Sequence, residues 1–181
     1  MKKIYLIRHA ESEANAALDP DSTSKYFDAK ITDKGKQQAQ NKHLELKDLT
    51  FDLYVCSPLT RTMETFSIIF PNKNPIIVDC IREHSFHSCD VGRQPSDLKK
   101  DFPKFNFDDL KNYWWNNNKM IDEKEIIKET HLDTKIRFDK FKYWLDSRSE
   151  KNIAVVSHGM FLSQITGEML DNCGHHIWNY K

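Results

Sequence analysis

The sequence has no excess charge of either sign, no closely paired cysteines and no long apolar run, and each absence narrows what the chain can do. Its 27 basic residues balance 27 acidic ones, so no global field draws it to nucleic acid or to a lipid surface, and any anion site must be local. The four cysteines, Cys56, Cys80, Cys89 and Cys173, form no C-x-x-C pair and follow no secretory-looking leader, which points to reduced thiols and a cytoplasmic setting. Met1, Lys2 and Lys3 run straight into a short apolar stretch that Arg8 interrupts, too short for a signal-peptide core or a membrane span. No internal repeat divides the chain. A length of 181 residues, 39% of them hydrophobic, suffices for one buried core and not for two, so a single domain over 1–181 is expected. The sequence is silent on oligomeric state.

What is present is an alternation of strand-length and helical patterns. Apolar runs at 4–7, 51–56, 75–78 and 152–156 read as strands. Thr32 is a helix cap for a segment running to about Lys47, and Ser57 followed by Pro58 reads as a cap and first helical position for a helix reaching Phe70. Phe138, Phe141 and Leu145 mark a helix over 132–147, and Phe161, Ile165 and Met169 mark one that begins near Gly159. Continuous apolar strands between helices predict an α/β fold, a three-layer α/β/α sandwich whose central sheet is mainly parallel. Ligands in such sheets bind beyond the carboxyl ends of the strands. The segment 79–129 breaks the rhythm with Pro95, Pro103, many charges and the aromatics Phe102, Phe105, Phe107, Tyr113, Trp114 and Trp115. It reads as an insertion that caps the functional edge, with its aromatics packed, Arg93, Lys99, Lys100 and Lys104 solvated, and Asn116, Asn117 and Asn118 in a loop.

Three strand ends carry the chemistry. The first delivers Arg8 and His9 with Asn15 soon after, the second Ser57 with Arg61 one turn on, and the fourth Ser157, His158 and Gly159 at a helix start. Two arginines, two histidines, an asparagine and helix N–H groups on one edge make a phosphate pocket. Phosphoryl transfer spreads charge over three equatorial oxygens, so catalysis is largely positioning plus fixed donors, a task suited to planar, permanently charged guanidiniums. A neutral imidazole is a competent nucleophile near pH 7, and either His9 or His158 could attack.

The blocks LIRHAESEAN (6–15), ITDKGKQQA (31–39), CSPLTRTMET (56–65), IREH (81–84) and VVSHG (155–159) stand in order along nearly the whole chain. On them the sequence resembles the histidine phosphatase superfamily, in the branch that includes phosphoglycerate mutase. The resemblance implies a metal-independent phosphatase, without cofactor, that hydrolyses a small phosphate monoester. His9 matches the phosphorylated histidine, Arg8, Arg61 and His158 the groups holding the phosphoryl oxygens, and Glu83 the general acid that later activates water. Asn15 matches a neutral phosphate contact, and Ser57, His84 and Gly159 are taken as substrate-binding residues beside it. Ala10 stands where many members have glycine, and the chain ends soon after Trp178, leaving little room for a final strand. Mutases of the family are usually longer, so hydrolysis is favoured over transfer between hydroxyls. A phosphohistidine phosphatase, a mutase-like phosphotransferase and a catalytically silent phosphate-binding regulator are the rival readings. The stretch 82–103, with its REH, CD and FP elements, resembles a subgroup from plants, fungi and protists.

Two other chemistries find no support in the sequence. Neither Ser57 nor Ser157 sits in G-x-S-x-G, which argues against a serine nucleophile. His84, His87 and Cys89, with Cys173, His175 and His176, match no zinc-ligand spacing, so no metal site is expected.

Overall fold

In the computed structural model, which describes residues 1–17, 26–116 and 125–181, five strands form one sheet in the order β3-β2-β4-β1-β5. The strands are β1 (Lys2–Arg8), β2 (Leu53–Cys56), β3 (Ile76–Ile77), β4 (Asn152–Ser157) and β5 (His175–Tyr180). β1, β2, β3 and β4 run parallel, and β5 joins the outer edge antiparallel to β1. The final strand, for which little room was expected, is present: the chain turns near Gly174 and returns along β1, with Lys2 opposite Tyr180. β3 is shorter than its apolar run suggested, only Ile76 and Ile77 pairing with β2.

Alternation along the central strands separates two cores. Tyr5, Ile7, Cys56, Ala154 and Val156 face one side, where Ala39 and Leu46 of α2 (Asp33–Leu46) and Met63, Phe66 and Ile69 of α3 (Thr60–Ile69) cover them. Ile4, Leu6, Val55, Ile153 and Val155 face the other, under Phe141 and Leu145 of α5 (His131–Asp146) and Phe161 and Leu162 of α6 (Gly159–Thr166). Both faces are apolar, hence the continuous hydrophobic runs. A short α1 (Glu13–Ala16) follows β1, and α4 (Pro95–Asp101) lies in the segment between β3 and α5. Among the described residues, no helix is long and apolar enough to cross a membrane.

Several local expectations change. Ser57 does not cap α3: the cap position is Leu59, and the α3 entry is held by Asp28, whose carboxylate accepts from the Thr60 N–H and hydroxyl. α6 stops at Thr166 because Gly167 turns left-handed at φ 76°, so Met169 lies beyond the helix. Arg93 is not solvated; it donates to Asp28, Thr60 and Asp101. The aromatics Phe105, Phe107, Trp114 and Trp115 do pack into the first core. Asn116 closes a 3-10 turn begun at Trp114, whereas Asn117 and Asn118, with the rest of 117–124 of the expected insertion, lie outside the described residues.

Candidate active site

The parallel register brings Arg8 beside Ser157 and Cys56 beside Val156, so the chain leaves the three central strands at one level. There a cavity of about 420 Å³ is lined by Arg8, His9, Ser12, Asn15, Arg61 and Glu83, and by residues of 84–90 together with Met160 and Met169. The loop after β1 is held from three sides. Ala10 N–H donates to Thr65, Glu11 N–H to Gln38, and the Thr32 N–H to the Glu11 carbonyl. That last contact explains the glycine of the ITDKGKQQA block. A Cβ on Gly35 would sit 2.2 Å from the Glu11 carbonyl oxygen, so only glycine lets α2 approach this loop.

His9 is buried, and its Nδ1 lies 2.7 Å from the Ala10 carbonyl. A carbonyl can only accept, so Nδ1 carries the proton and Nε2 keeps its lone pair. Burial, then the Arg61 and Arg8 charges, hold the imidazole well below its ordinary pKa against the opposing backbone bond. It is neutral near pH 7. The His158 ring lies 5.1 Å from that of His9 and is also held well below its ordinary pKa by burial, Arg61 and His9. Its Nε2 is 2.7 Å from the Ser57 hydroxyl. With Ser57 donating to Nε2, the His158 proton sits on Nδ1, a buried atom without a partner among the described residues.

Arg8 spends one nitrogen on the Leu170 carbonyl while its buried Nε has no partner among the described residues. Arg61 is fully buried and donates to the Cys89 carbonyl and to Asp90. Burial opposes its charge, but Asp90, Cys89, Glu83 and Asp28 outweigh that and raise its pKa. Gly159 does not line the cavity. A Cβ there would meet Met169 Cγ at 3.0 Å and Arg8 Nε at 3.2 Å, so its bareness leaves room for the arginine. Ser57, bonded to His158, is not among the described residues that line the cavity, and His158 is itself fully buried with its ring against that of His9.

Glu83 corrects a further expectation. Two N–H groups at the start of α6 are already engaged: those of Met160 and Phe161 donate to the Glu83 carboxyl, as does that of His84. Oε1 takes two of these bonds, and Oε2 takes only the long 3.3 Å one from Met160. Burial, then Asp90, raises the Glu83 pKa against Arg61 and the backbone donors. A proton on Oε2 is thus retained to higher pH than on a free carboxyl. Asn15 Oδ1 is occupied by the Ser12 N–H and hydroxyl and by Asn172, which leaves its NH2 available to the cavity. Cys89 is no rival nucleophile, since burial and Asp90 push its thiol up to about 12.

Sequence reasoning missed Asp90 and Asn172. Asp90 joins Arg61 through Oδ1 and accepts the Phe86 and His87 N–H groups at Oδ2. Its only sequence signal is the CD pair within 82–103. Asn172, with no signal at all, bridges the His9 carbonyl and Asn15.

Residues 4–181 match the sequence model of the histidine phosphatase superfamily, branch 1. A phosphoglycerate mutase-like protein 1 of Arabidopsis thaliana is 30% identical, the alignment covering 95% of this chain and 73% of that one. The adenosylcobalamin/alpha-ribazole phosphatase of Escherichia coli is 27% identical over 99% of this chain and 84% of its own. Among solved structures, the alpha-ribazole phosphatase of Shigella flexneri superposes with a TM-score of 0.65 at 22% identity, over 99% of this chain and 91% of that one, a likeness of fold.

Proposed function

The chain belongs to the histidine phosphatase superfamily, and we propose that it hydrolyses a small phosphate monoester through a phosphohistidine formed on His9. The observation that carries this reading is a buried, neutral His9 with its proton committed to the Ala10 carbonyl, on a cavity that Arg8, Arg61 and Asn15 also line. Guanidinium donors make charge-assisted bonds to phosphoryl oxygens roughly twice as strong as neutral ones, and Arg8 and Arg61 both line the cavity with His9.

His9 Nε2 attacks phosphorus as the bond to the ester oxygen breaks. Arg8, Arg61, His158 and the Asn15 NH2 hold the equatorial oxygens, and Ser57 fixes the His158 tautomer from behind. Glu83 Oε2 gives its proton to the departing oxygen, releasing the alcohol. The resulting carboxylate then takes a proton from water, whose oxygen attacks phosphorus and breaks the N–P bond. Inorganic phosphate leaves, Glu83 is again protonated and His9 is again neutral. Of the expected cap, the described residues 84–90 are proposed to cover the leaving-group side, with His84 on the wall. No step of this scheme calls on a metal, so EDTA should leave activity intact.

The test is direct. His9→Ala should abolish turnover, and rapid quenching of the wild type should trap a phosphoenzyme stable in alkali and labile in acid. An acid-stable phosphoserine would sink the scheme.

A further inference from the structure

Beyond the groups assigned to phosphate and the acid, the cavity lining includes His84, Phe86, His87, Met160 and Met169. Phe86 and Met169 are 46% and 52% exposed although they border a polar site. The Phe86 ring is preset: it stacks on His84 at 6.5 Å and 17°, and His84 stacks on His131 at 5.5 Å and 21°. His84 is fixed by Thr134, and the Phe86 N–H by Asp90. An exposed aromatic held by ring contacts, in a lining that also carries thioethers, is suited to a flat apolar ligand group, because little freedom of the aromatic side chain is lost on contact.

The charges of the cavity point the same way. Among its described lining residues, the permanent cations are Arg8 and Arg61, and Arg61 already faces Asp90. One phosphoryl dianion takes up what remains of that positive charge. A second anionic group would lie on the side of Glu83 and Asp90 with no lining cation to meet it. His84 is held below its ordinary pKa by burial, with His131 and Arg137 adding to the effect against Glu129 and Asp90. The exposed Lys128 sets its ammonium 4.8 Å over the Phe86 ring, outside the cavity lining.

Resting on the phosphatase reading above, we infer that the alcohol esterified to phosphate is uncharged and carries an aromatic ring that packs on the His84–Phe86 platform, in place of a hydroxy acid or a bisphosphate. The test uses His9→Ala protein, so that binding can be read without turnover, titrated calorimetrically with 2-phenylethyl phosphate, 3-phosphoglycerate and phosphoserine. The aromatic ester should bind at least about tenfold more tightly than either acid, and Phe86→Ala or Phe86→Leu should narrow that ratio toward one. Equal or tighter binding of an acid overturns the inference, decisively so if Lys128→Met removes it. A ratio untouched by both Phe86 variants overturns the platform. Wild-type hydrolysis of p-nitrophenyl phosphate without any aromatic preference in binding would reject the inference and leave the phosphatase standing. An aromatic preference without hydrolysis of any ester would do the reverse.

Discussion

The two walls of the cavity are built in different ways. The wall around His9 consists of residues at or just beyond the ends of β1, β2 and β4, whose relative heights are set by ladder hydrogen bonds. The facing wall, 84–90, belongs to no strand. It is tied down by buried ion pairs: Glu129 pairs with Arg82 and Arg137 and accepts the Ser85 N–H, while Arg137 also donates to the carbonyls of Cys80, Arg82 and Glu83. The difference separates chemistry from selectivity. On the proposed reading the sheet places the groups that handle phosphorus, while the side-chain-pinned loop, joined to them where Arg61 meets Asp90 and the Cys89 carbonyl, shapes what is admitted. Glu83 stands where the walls meet, its carboxyl on the α6 N–H groups and its backbone on Arg137.

Breaking that junction should give the largest effect. Glu83→Gln keeps the shape of the acid and removes its proton, so phosphoryl transfer from alkyl esters should slow by about 10²–10⁴-fold. An aryl ester such as p-nitrophenyl phosphate needs less help and should be slowed far less in the first step, as single-turnover measurements would read. The proposed transfer requires His9 neutral and Glu83 protonated. The His9 pKa is lowered, so the acidic limb of the rate profile should lie below that of a free imidazole. The Glu83 pKa is raised, so the alkaline limb should lie above that of a free carboxyl and should vanish in Glu83→Gln. Equal slowing of alkyl and aryl esters would show that Glu83 is not the acid.

A smaller effect should sharpen the comparison at Asp90, the described lining residue that bonds both to Arg61 and to the backbone of the facing wall. Asp90→Asn turns one of its acceptor positions into a donor, which must face either Arg61 or the Phe86 and His87 N–H groups. We expect kcat/KM for an aromatic ester to fall about tenfold. On that background Phe86→Ala should cost less than it does alone, because a wall already loosened has less to lose. Strict additivity of the two substitutions would mean that the walls act independently.

The same contrast decides how much could be read in advance. Hydrophobic runs announce β1, β2 and β4 because both sheet faces are covered, and RHA, SPLTR and SHG lie just past them, so the His9 wall is legible by position. β5 was missed because His175–Tyr180 is only partly buried on an edge and mixes polar with aromatic residues, so it lacks the apolar run that marks a central strand. Ser57 was misjudged as a cap because Ser-Pro satisfies a local rule, while its partner His158 is 101 residues away. The helix N–H groups of α6 were assigned to phosphate for the same reason: their true partner, Glu83, comes from a distant segment. The facing wall was least legible, since its form depends on pairings such as Arg82–Glu129 that no periodicity marks.

The smallest effect lies on the His9 wall itself, at Asn172. Its NH2 donates to the His9 carbonyl and to Asn15 Oδ1, where the Ser12 N–H and hydroxyl also point. With three donors on the oxygen, the Asn15 amide cannot flip without facing its NH2 toward other donors, so its NH2 stays turned to the phosphoryl site. Asn172→Ala removes one of the three and should lower kcat/KM about fivefold, the worth of one modest hydrogen bond near 1 kcal/mol. Asn172→Asp keeps the shape but sets a carboxylate against two acceptor oxygens, and should cost more than alanine does. If Asn172 acts through Asn15, inhibition by inorganic phosphate should weaken in parallel with kcat/KM, and Asn172→Ala should add little once Asn15 is already alanine. A full additional loss in the Asn15→Ala background would mean that Asn172 works through the His9 carbonyl alone, and that the amide of Asn15 is oriented by Ser12 without it.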